Sequence, residues 1–304
     1  MRSQVQQNRS IELFCGTGGL ALGLQKAGFH HTALYEWDKD SCDNIRANIQ
    51  AGYKGIESWN VHQTDVRAVC YDGLSGKINM VSGGPPCQPF SMGGKAQAYN
   101  DKRDMFPEAV RAVREIMPEV FIFENVKGLL RKSFSLYFSY IILQLTYPSI
   151  QKPSGMTWEE HRELLEKHHT SSNHDDCEYN VVFRLLNAAD YGVPQLRHRV
   201  VIVGFRKDQN ANEFAYPTPT DTTKTFADIK EKNTVSAKYY LSTQYVKTLV
   251  AHKERHAAKG NGFGYEIIPD NGVANAIVVG GMGRERNLVI DNRLEDFTPV
   301  TNIK

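Results

Sequence analysis

The sequence lacks any long hydrophobic run. A membrane-spanning helix needs roughly 18 to 20 apolar residues, and the most apolar stretch, residues 134–147 (FSLYFSYIILQLTY), is shorter. The opening MRSQVQQNRS has no apolar segment of a secretion signal, so an intracellular, cytoplasmic protein is expected. Cysteine is sparse: five are scattered at 15, 42, 70, 87 and 177, with neither paired metal-ligand spacing nor a disulfide framework. No metal site and reduced thiols are therefore expected. Excess charge of one sign is also missing. The net charge of +2 gives overall charge no weight for or against a nucleic-acid partner. Two local clusters, Arg197, Arg199, Arg206, Lys207 and Lys127, Arg131, Lys132, read first as solvated faces. There is no G-x-G-x-x-G fingerprint and no internal repeat.

What is present is an alternation of strand-like and helix-like runs. With 304 residues and a hydrophobic fraction of 41%, the chain can build one large domain, or a large and a smaller one. Short apolar strands are expected at 10–14, 31–35, 61–63, 78–82 and 119–123. Helices are expected near 20–26, 40–50 and 106–116, with Pro118 stopping the last. Such alternation indicates an α/β fold with a doubly wound, mostly parallel sheet. Residues 148–178 are polar and irregular, with a helical piece near 158–168, and read as an insertion. The runs 179–186 and 200–205, joined by a Gly/Pro loop, suit a hairpin closing the sheet. The stretch YPTPTDTTKT from Tyr216 reads as a linker. Beyond it lies a smaller, loop-rich second domain with one helix at about 242–257.

Four strand ends carry the chemistry. The run 78–81 leads into Gly83-Gly84-Pro85-Pro86-Cys87-Gln88-Pro89. An isolated cysteine would be read as core. Here the flanking prolines hold a thiol on a stiff loop just past the carboxyl end of a strand, where open α/β sheets bind ligands. The turn Cys15-Gly16-Thr17-Gly18-Gly19 lets backbone approach a ligand closely. Glu36 closes the second strand, where a ribose-binding carboxylate belongs. Trp37 beside it could stack on a nucleobase, and Asp65 closes the third strand. Together these three ends favour an adenosine-containing ligand without choosing between NAD and S-adenosylmethionine.

At this point the chain resembles the cytosine-5 DNA methyltransferases of the bacterial restriction–modification type. The resemblance rests on an ordered series over about two thirds of the chain: ELFCGTGGL (12–20), EWD (36–38), TDV (64–66), GGPPCQPFS (83–91), ENVKG (124–128) and NAADYGVPQLRHRVVIVGF (187–205). It implies a class I S-adenosylmethionine-dependent methyltransferase fold, S-adenosylmethionine as donor, and methylation of carbon 5 of cytosine in duplex DNA. By position in the motifs, it implies that Cys87 adds to carbon 6 of the base and that Glu124 contacts ring nitrogen 3 and the exocyclic amine. Asn125 orients the loop, and Arg197 with Arg199 hold the base or a nearby phosphate. Phe14, Gly16, Gly18, Glu36, Trp37, Asp65 and Pro86 line the cofactor. The base must be flipped out to reach the site, and residues 91–103 suit a loop that closes over it. On this resemblance residues 1–215 form the catalytic and cofactor-binding domain, and residues 216–304 begin a target-recognition domain that is incomplete.

The chain departs from the family pattern in two places. Cys15 stands where a small residue such as alanine is usual. An arginine-rich Thr-Pro-Arg-Glu-like motif and a Gly-Asn-Ser/Ala-Val-like motif are both missing before Lys304. Either the chain is a fragment, or a second polypeptide supplies that part. Two alternatives to DNA methylation remain: a tRNA cytosine-5 methyltransferase, and a non-catalytic DNA-binding subunit of an active partner.

Overall fold

The computed structural model describes residues 8–86, 104–171, 178–211, 213–220, 223–233, 236–262, 264–277 and 285–289. Cys87 and the residues 91–103 expected to close over the base lie outside them. The chain divides into two units, Met1–Leu185 with Arg199–Tyr216, and Leu186–His198 with Pro217–Lys304.

The first unit is built on a seven-stranded sheet. In chain order its strands are β1 (Arg9–Leu13), β2 (His30–Glu36), β3 (Val61–Gln63), β4 (Met80–Gly83), β5 (Val120–Val126), β6 (Tyr179–Asn187) and β8 (His198–Arg206). Their spatial order is β3-β2-β1-β4-β5-β8-β6. The pairs from β3 to β5 are parallel, and β8 runs antiparallel to β5. The expected doubly wound, mostly parallel sheet is therefore present, with the run at 200–205 joining it beside β5. Strand order reverses between β1 and β4. The crevice beyond their carboxyl ends is where such sheets bind ligands.

Strand β1 is buried from Ser10 to Leu13, as a central parallel strand should be. Its polar residues are satisfied inside the fold. Ser10 Oγ meets His31 Nδ1 at 3.0 Å, and His31 Nε2 meets the Ala21 carbonyl at 2.9 Å. Helix α1 (Gly19–Lys26) follows β1, and α2 (Lys39–Gln50) follows β2. Asp38 caps α2, its carboxylate accepting from Ser41 N at 2.8 Å. Helix α3 (Phe106–Ile116) buries Phe106, Ala109, Val110, Val113 and Ile116. It ends where Met117 turns left-handed at φ 50°, one residue before Pro118.

The apolar stretch near 134–147 becomes α4 (Ser135–Thr146), a core helix with Tyr137, Tyr140, Ile141 and Leu145 buried. No helix among the described residues is long and apolar enough to cross a membrane. The helical piece expected near 158–168 within the polar segment is present and runs slightly further. It is α5 (Trp158–Ser171), a fourteen-residue helix packed on α4. His161 fixes the contact, with Nδ1 2.9 Å from the Tyr140 hydroxyl and Nε2 3.1 Å from the Ile150 carbonyl.

The second unit holds a parallel pair of two-residue strands, β7 (Gln195–Leu196) and β9 (Ala274–Asn275), and helix α6 (Thr243–Ala257). Phe226, Ile268, Ala274 and Val289 form its small core. The division differs from the expected boundary at residue 215, because residues 186–198 join the second unit. Gln195 pairs with Ala274, Ala274 N donates to the Pro194 carbonyl, and Thr220 N donates to the Asp190 carbonyl. Those partners are distant in sequence, so no local pattern announced them.

Candidate active site

The carboxyl ends of β3, β2, β1, β4 and β5 present one row of polar loops. After β1, the chain passes through Phe14 at φ 55° into a tight turn. A bulky side chain rarely adopts that conformation. Gly18 sits at φ 83°, and a Cβ there would stand 2.7 Å from the Trp59 ring, so both conformation and space require glycine. Gly16 N donates to Glu36 Oε2 at 2.8 Å, tying the β1 turn to the end of β2. The other oxygen of Glu36 accepts from Trp37 N and Asp38 N, both at 2.9 Å. Trp37 is 71% exposed. An ionised carboxylate has about four acceptor positions. Three N–H groups leave room for one more donor, as a ribose hydroxyl would be.

Asp65, at the end of β3, is engaged by Arg67. Its carboxylate accepts from Arg67 N at 2.9 Å and from Arg67 Nε at 3.0 Å. The Arg67 side chain holds the carboxyl below its ordinary range. Phe14, Gly16, Gly18, Glu36, Trp37 and Asp65 thus stand on adjacent strand ends, on one side of the switch point.

On the other side, β4 passes into Gly84-Pro85-Pro86. A Cβ on Gly83 would stand 2.4 Å from the Leu13 carbonyl oxygen, so only glycine lets β4 lie this close to β1. A Cβ on Gly84 would lie 3.8 Å from Glu124 Oε2 and 4.0 Å from the Phe14 carbonyl, so this residue adjoins both the β1 turn and the end of β5. Asn125 is buried; its Nδ2 donates to the Pro85 carbonyl at 2.9 Å, and its Oδ1 accepts from Val126 N at 2.8 Å. Pro86 O accepts from Met105 N at 3.0 Å. Residues 86 and 105, on either side of the cysteine loop, are therefore joined by a backbone bond.

Glu124 and Arg199 come together. In the antiparallel register Glu124 faces Val201 and Arg199 faces Val126. The two side chains are diagonal neighbours on one face, with Arg199 Nε 2.6 Å from Glu124 Oε1. Arg197 belongs to the second unit. Its N–H donates to Asn187 Oδ1 at 3.1 Å, and its carbonyl accepts from Ala188 N at 3.0 Å.

Two buried groups beside the site lie within the first motif, ELFCGTGGL, but neither has a role legible in the sequence. Glu12 is 1% exposed in β1 and accepts from Ser82 Oγ of β4 at 2.9 Å. Burial pushes its carboxyl up to about 8, against the smaller opposing effect of the Ser82 bond. Its only local signal is an acid inside an apolar strand. Burial also pushes the Cys15 thiol far up, and the nearby Glu12 and Glu36 add to this. No group of three or more metal-ligating side chains occurs among the described residues.

The chain matches the family of C-5 cytosine-specific DNA methylases over residues 8–147 and 155–300. It is 42% identical over 296 residues to the type II methyltransferase M.HpaII of Haemophilus parainfluenzae, covering 97% of this chain and 73% of the relative. It is 36% identical over 213 residues to M.NgoMIV of Neisseria gonorrhoeae, covering 70% of this chain and 56% of the relative. It is 34% identical over 217 residues to M.AquIA of Picosynechococcus, covering 70% and 77%. The relatives named type II methyltransferases are in several cases about twice as long as the matched part, with shares of 44% and 50%. In fold, the chain is similar to the Entamoeba histolytica methyltransferase EhMeth, with TM-score 0.60, 15% identity, and 94% of this chain and 76% of that one covered. It is similar also to the S. pombe Dnmt2 methyltransferase, with TM-score 0.57, 15% identity, and 95% and 77% covered. The fold is that of the class I S-adenosylmethionine-dependent methyltransferases, and the chain belongs to the C-5 cytosine-specific DNA methylases, which carry a methyl group from S-adenosylmethionine to carbon 5 of cytosine in DNA.

Proposed function

We propose that the chain methylates cytosine in duplex DNA in a bacterial cytoplasm, through a covalent bond from Cys87 to carbon 6 of a flipped base. The observation that carries this reading is the Glu124–Arg199 pair at the end of β5, standing next to the Gly84 that leads into the cysteine loop. When bound, S-adenosylmethionine supplies an electrophilic methyl group on a sulfonium. Glu36, Trp37 and Asp65 would hold its adenosine part, Glu36 through its spare acceptor position and Trp37 through its exposed ring. Phe14, Gly16, Gly18 and Pro86 line the same crevice.

The Cys87 thiolate adds to carbon 6, and the ring electrons pass to carbon 5, which becomes nucleophilic enough to take the methyl group. Glu124 contacts ring nitrogen 3 and delivers a proton there as negative charge develops. Arg199 orients that carboxyl by a charge-assisted bond and, with Arg197, holds the base or a nearby phosphate. A water molecule then takes the carbon 5 proton, the double bond between carbons 5 and 6 re-forms as the carbon–sulfur bond breaks and releases the thiolate, and Glu124 recovers its proton from ring nitrogen 3. Asn125 and Met105 fix the flanks of the cysteine loop, so that attack starts from a held geometry.

The reading includes a further segment, continuous with this chain or on a second polypeptide, bearing the arginine-rich and Gly-Asn-Ser/Ala-Val-like motifs. The greater length of several relatives supports it. The test is methyl transfer from radiolabelled S-adenosylmethionine to duplex DNA and to tRNA, with nucleoside analysis, with and without the corresponding segment of the relatives. Label in 5-methyldeoxycytidine, lost in Cys87→Ser, is expected. Label in tRNA, or activity that survives Cys87→Ser, would overturn it.

A further inference from the structure

The third strand is the weak point of the cofactor side. Among the described residues β3 is three residues long and pairs only with β2. Its ladder ends at Gln63 opposite Glu36, with one more bond from Thr64 N to the Glu36 carbonyl. Asp65 lies beyond it, on the short 3₁₀ turn Val66–Ala68. A short edge strand does not by itself fix the residue that follows it.

One side chain from another element holds this turn. Arg111, on α3, donates from Nη2 to the Val66 carbonyl at 2.8 Å and from Nη1 to the Val69 carbonyl at 3.2 Å. Its remaining donors face Glu108 Oε2, 2.7 Å from Nε, and Glu115 Oε2, 3.1 Å from Nη1. Its guanidinium lies 4.8 Å from the centroid of the Tyr71 ring, which is buried. The two acids at three before and four after Arg111 lie beside it on the helix and aim its fork at the two carbonyls. The fork thus holds the Val66 and Val69 carbonyls of the turn that Asp65 caps, and the Val66 side chain is buried. Lysine cannot replace this geometry, because an ammonium lacks the planar set of donors.

We propose that Arg111 is a positioning residue for S-adenosylmethionine, holding the Asp65 turn at the distance from Glu36 that the adenosine part requires. This rests on the assignment of Asp65 to the cofactor. Because α3 also starts just after the cysteine loop, the same helix sets the far flank of that loop through Met105 and the cofactor turn through Arg111.

The experiment measures S-adenosylmethionine binding by calorimetry and thermal midpoint for the full chain and for Arg111→Ala, Arg111→Lys, Arg114→Ala and Asp65→Asn. Arg114 lies on the same helix and bonds to neither carbonyl, so its variant reports general loosening of α3. Losing one charge-assisted bond corresponds to roughly tenfold weaker binding. Arg111→Lys is expected to fold, to keep its pairing with Glu108 and Glu115, and to bind S-adenosylmethionine roughly tenfold more weakly. Arg114→Ala is expected to bind as the parent does. If Arg111→Ala does not fold, Arg111→Lys decides. Unchanged affinity in Arg111→Lys with weakened affinity in Asp65→Asn overturns the positioning role and leaves the Asp65 assignment intact. Unchanged affinity in both variants overturns the assignment itself. Equal weakening in Arg111→Lys and Arg114→Ala shows a stability effect and also overturns the positioning role.

Discussion

Replacing Glu12 by glutamine should make the protein more stable, and only above mildly acidic pH. In the unfolded chain this carboxyl titrates near its ordinary value of 4.5, and in the fold burial pushes it up to about 8. Between those values the folded protein keeps a proton that the unfolded chain has released. Stability therefore falls as pH rises through the window and stops falling above about 8. The loss is at most about 1.4 kcal/mol for each pH unit, so at most about 5 kcal/mol across the window. Glutamine keeps the shape and can accept from Ser82 Oγ, but cannot ionise. Glu12→Gln and the parent should be within about 1 kcal/mol of each other at pH 5. By pH 8.5 the variant should lead by several kcal/mol. His31 and His161 work the other way: burial holds both below their ordinary 6.5, so their contribution is lost as pH falls. They are present in both proteins and cancel in the comparison. The assay is urea denaturation of the two proteins at a series of pH values from 5 to 8.5. A difference that does not change with pH would refute the reasoning, because it would mean Glu12 is not a proton holder in the fold.

Other positions give separate tests. Gly18→Ala places a Cβ 2.7 Å from the Trp59 ring at a left-handed φ; a loss of about 1 to 3 kcal/mol and of S-adenosylmethionine binding is expected, read by thermal unfolding and calorimetry. Asn125→Ala leaves the Pro85 carbonyl without its bond. It should cost about 1 to 3 kcal/mol and lower the single-turnover methylation rate more than it lowers DNA affinity. Glu124→Gln should cut methyl transfer by roughly 100-fold or more while leaving S-adenosylmethionine affinity unchanged, because the proposed role of Glu124 is at the base and not at the cofactor. Tyr71→Phe should be neutral or stabilising by up to about 1 kcal/mol in thermal unfolding, since the buried hydroxyl has no partner among the described residues.

The sequence alone determined the succession of elements and the loops that carry the chemistry. Period and punctuation are local: the alternating strands and helices up to β5 follow from them, as do the Asp38 cap on α2 and the stop at Met117 before Pro118. The glycine turn after β1 and the proline-rich loop after β4 were legible for the same reason, since their backbone demands are met by few residue types. The tertiary structure decided what those loops face. Strand register brings Arg199 to Glu124, and the close pairing of β4 with β1 sets Gly84 between the Phe14 turn and the end of β5. Residues 186–198 joined the second unit through pairing with β9. Burial in the middle of the sheet raised Glu12, and packing of α3 beside the Asp65 turn gave Arg111 its carbonyl partners. Period, caps and turns act over a few neighbouring residues, whereas register, burial and electrostatic environment depend on atoms that only the folded chain brings together.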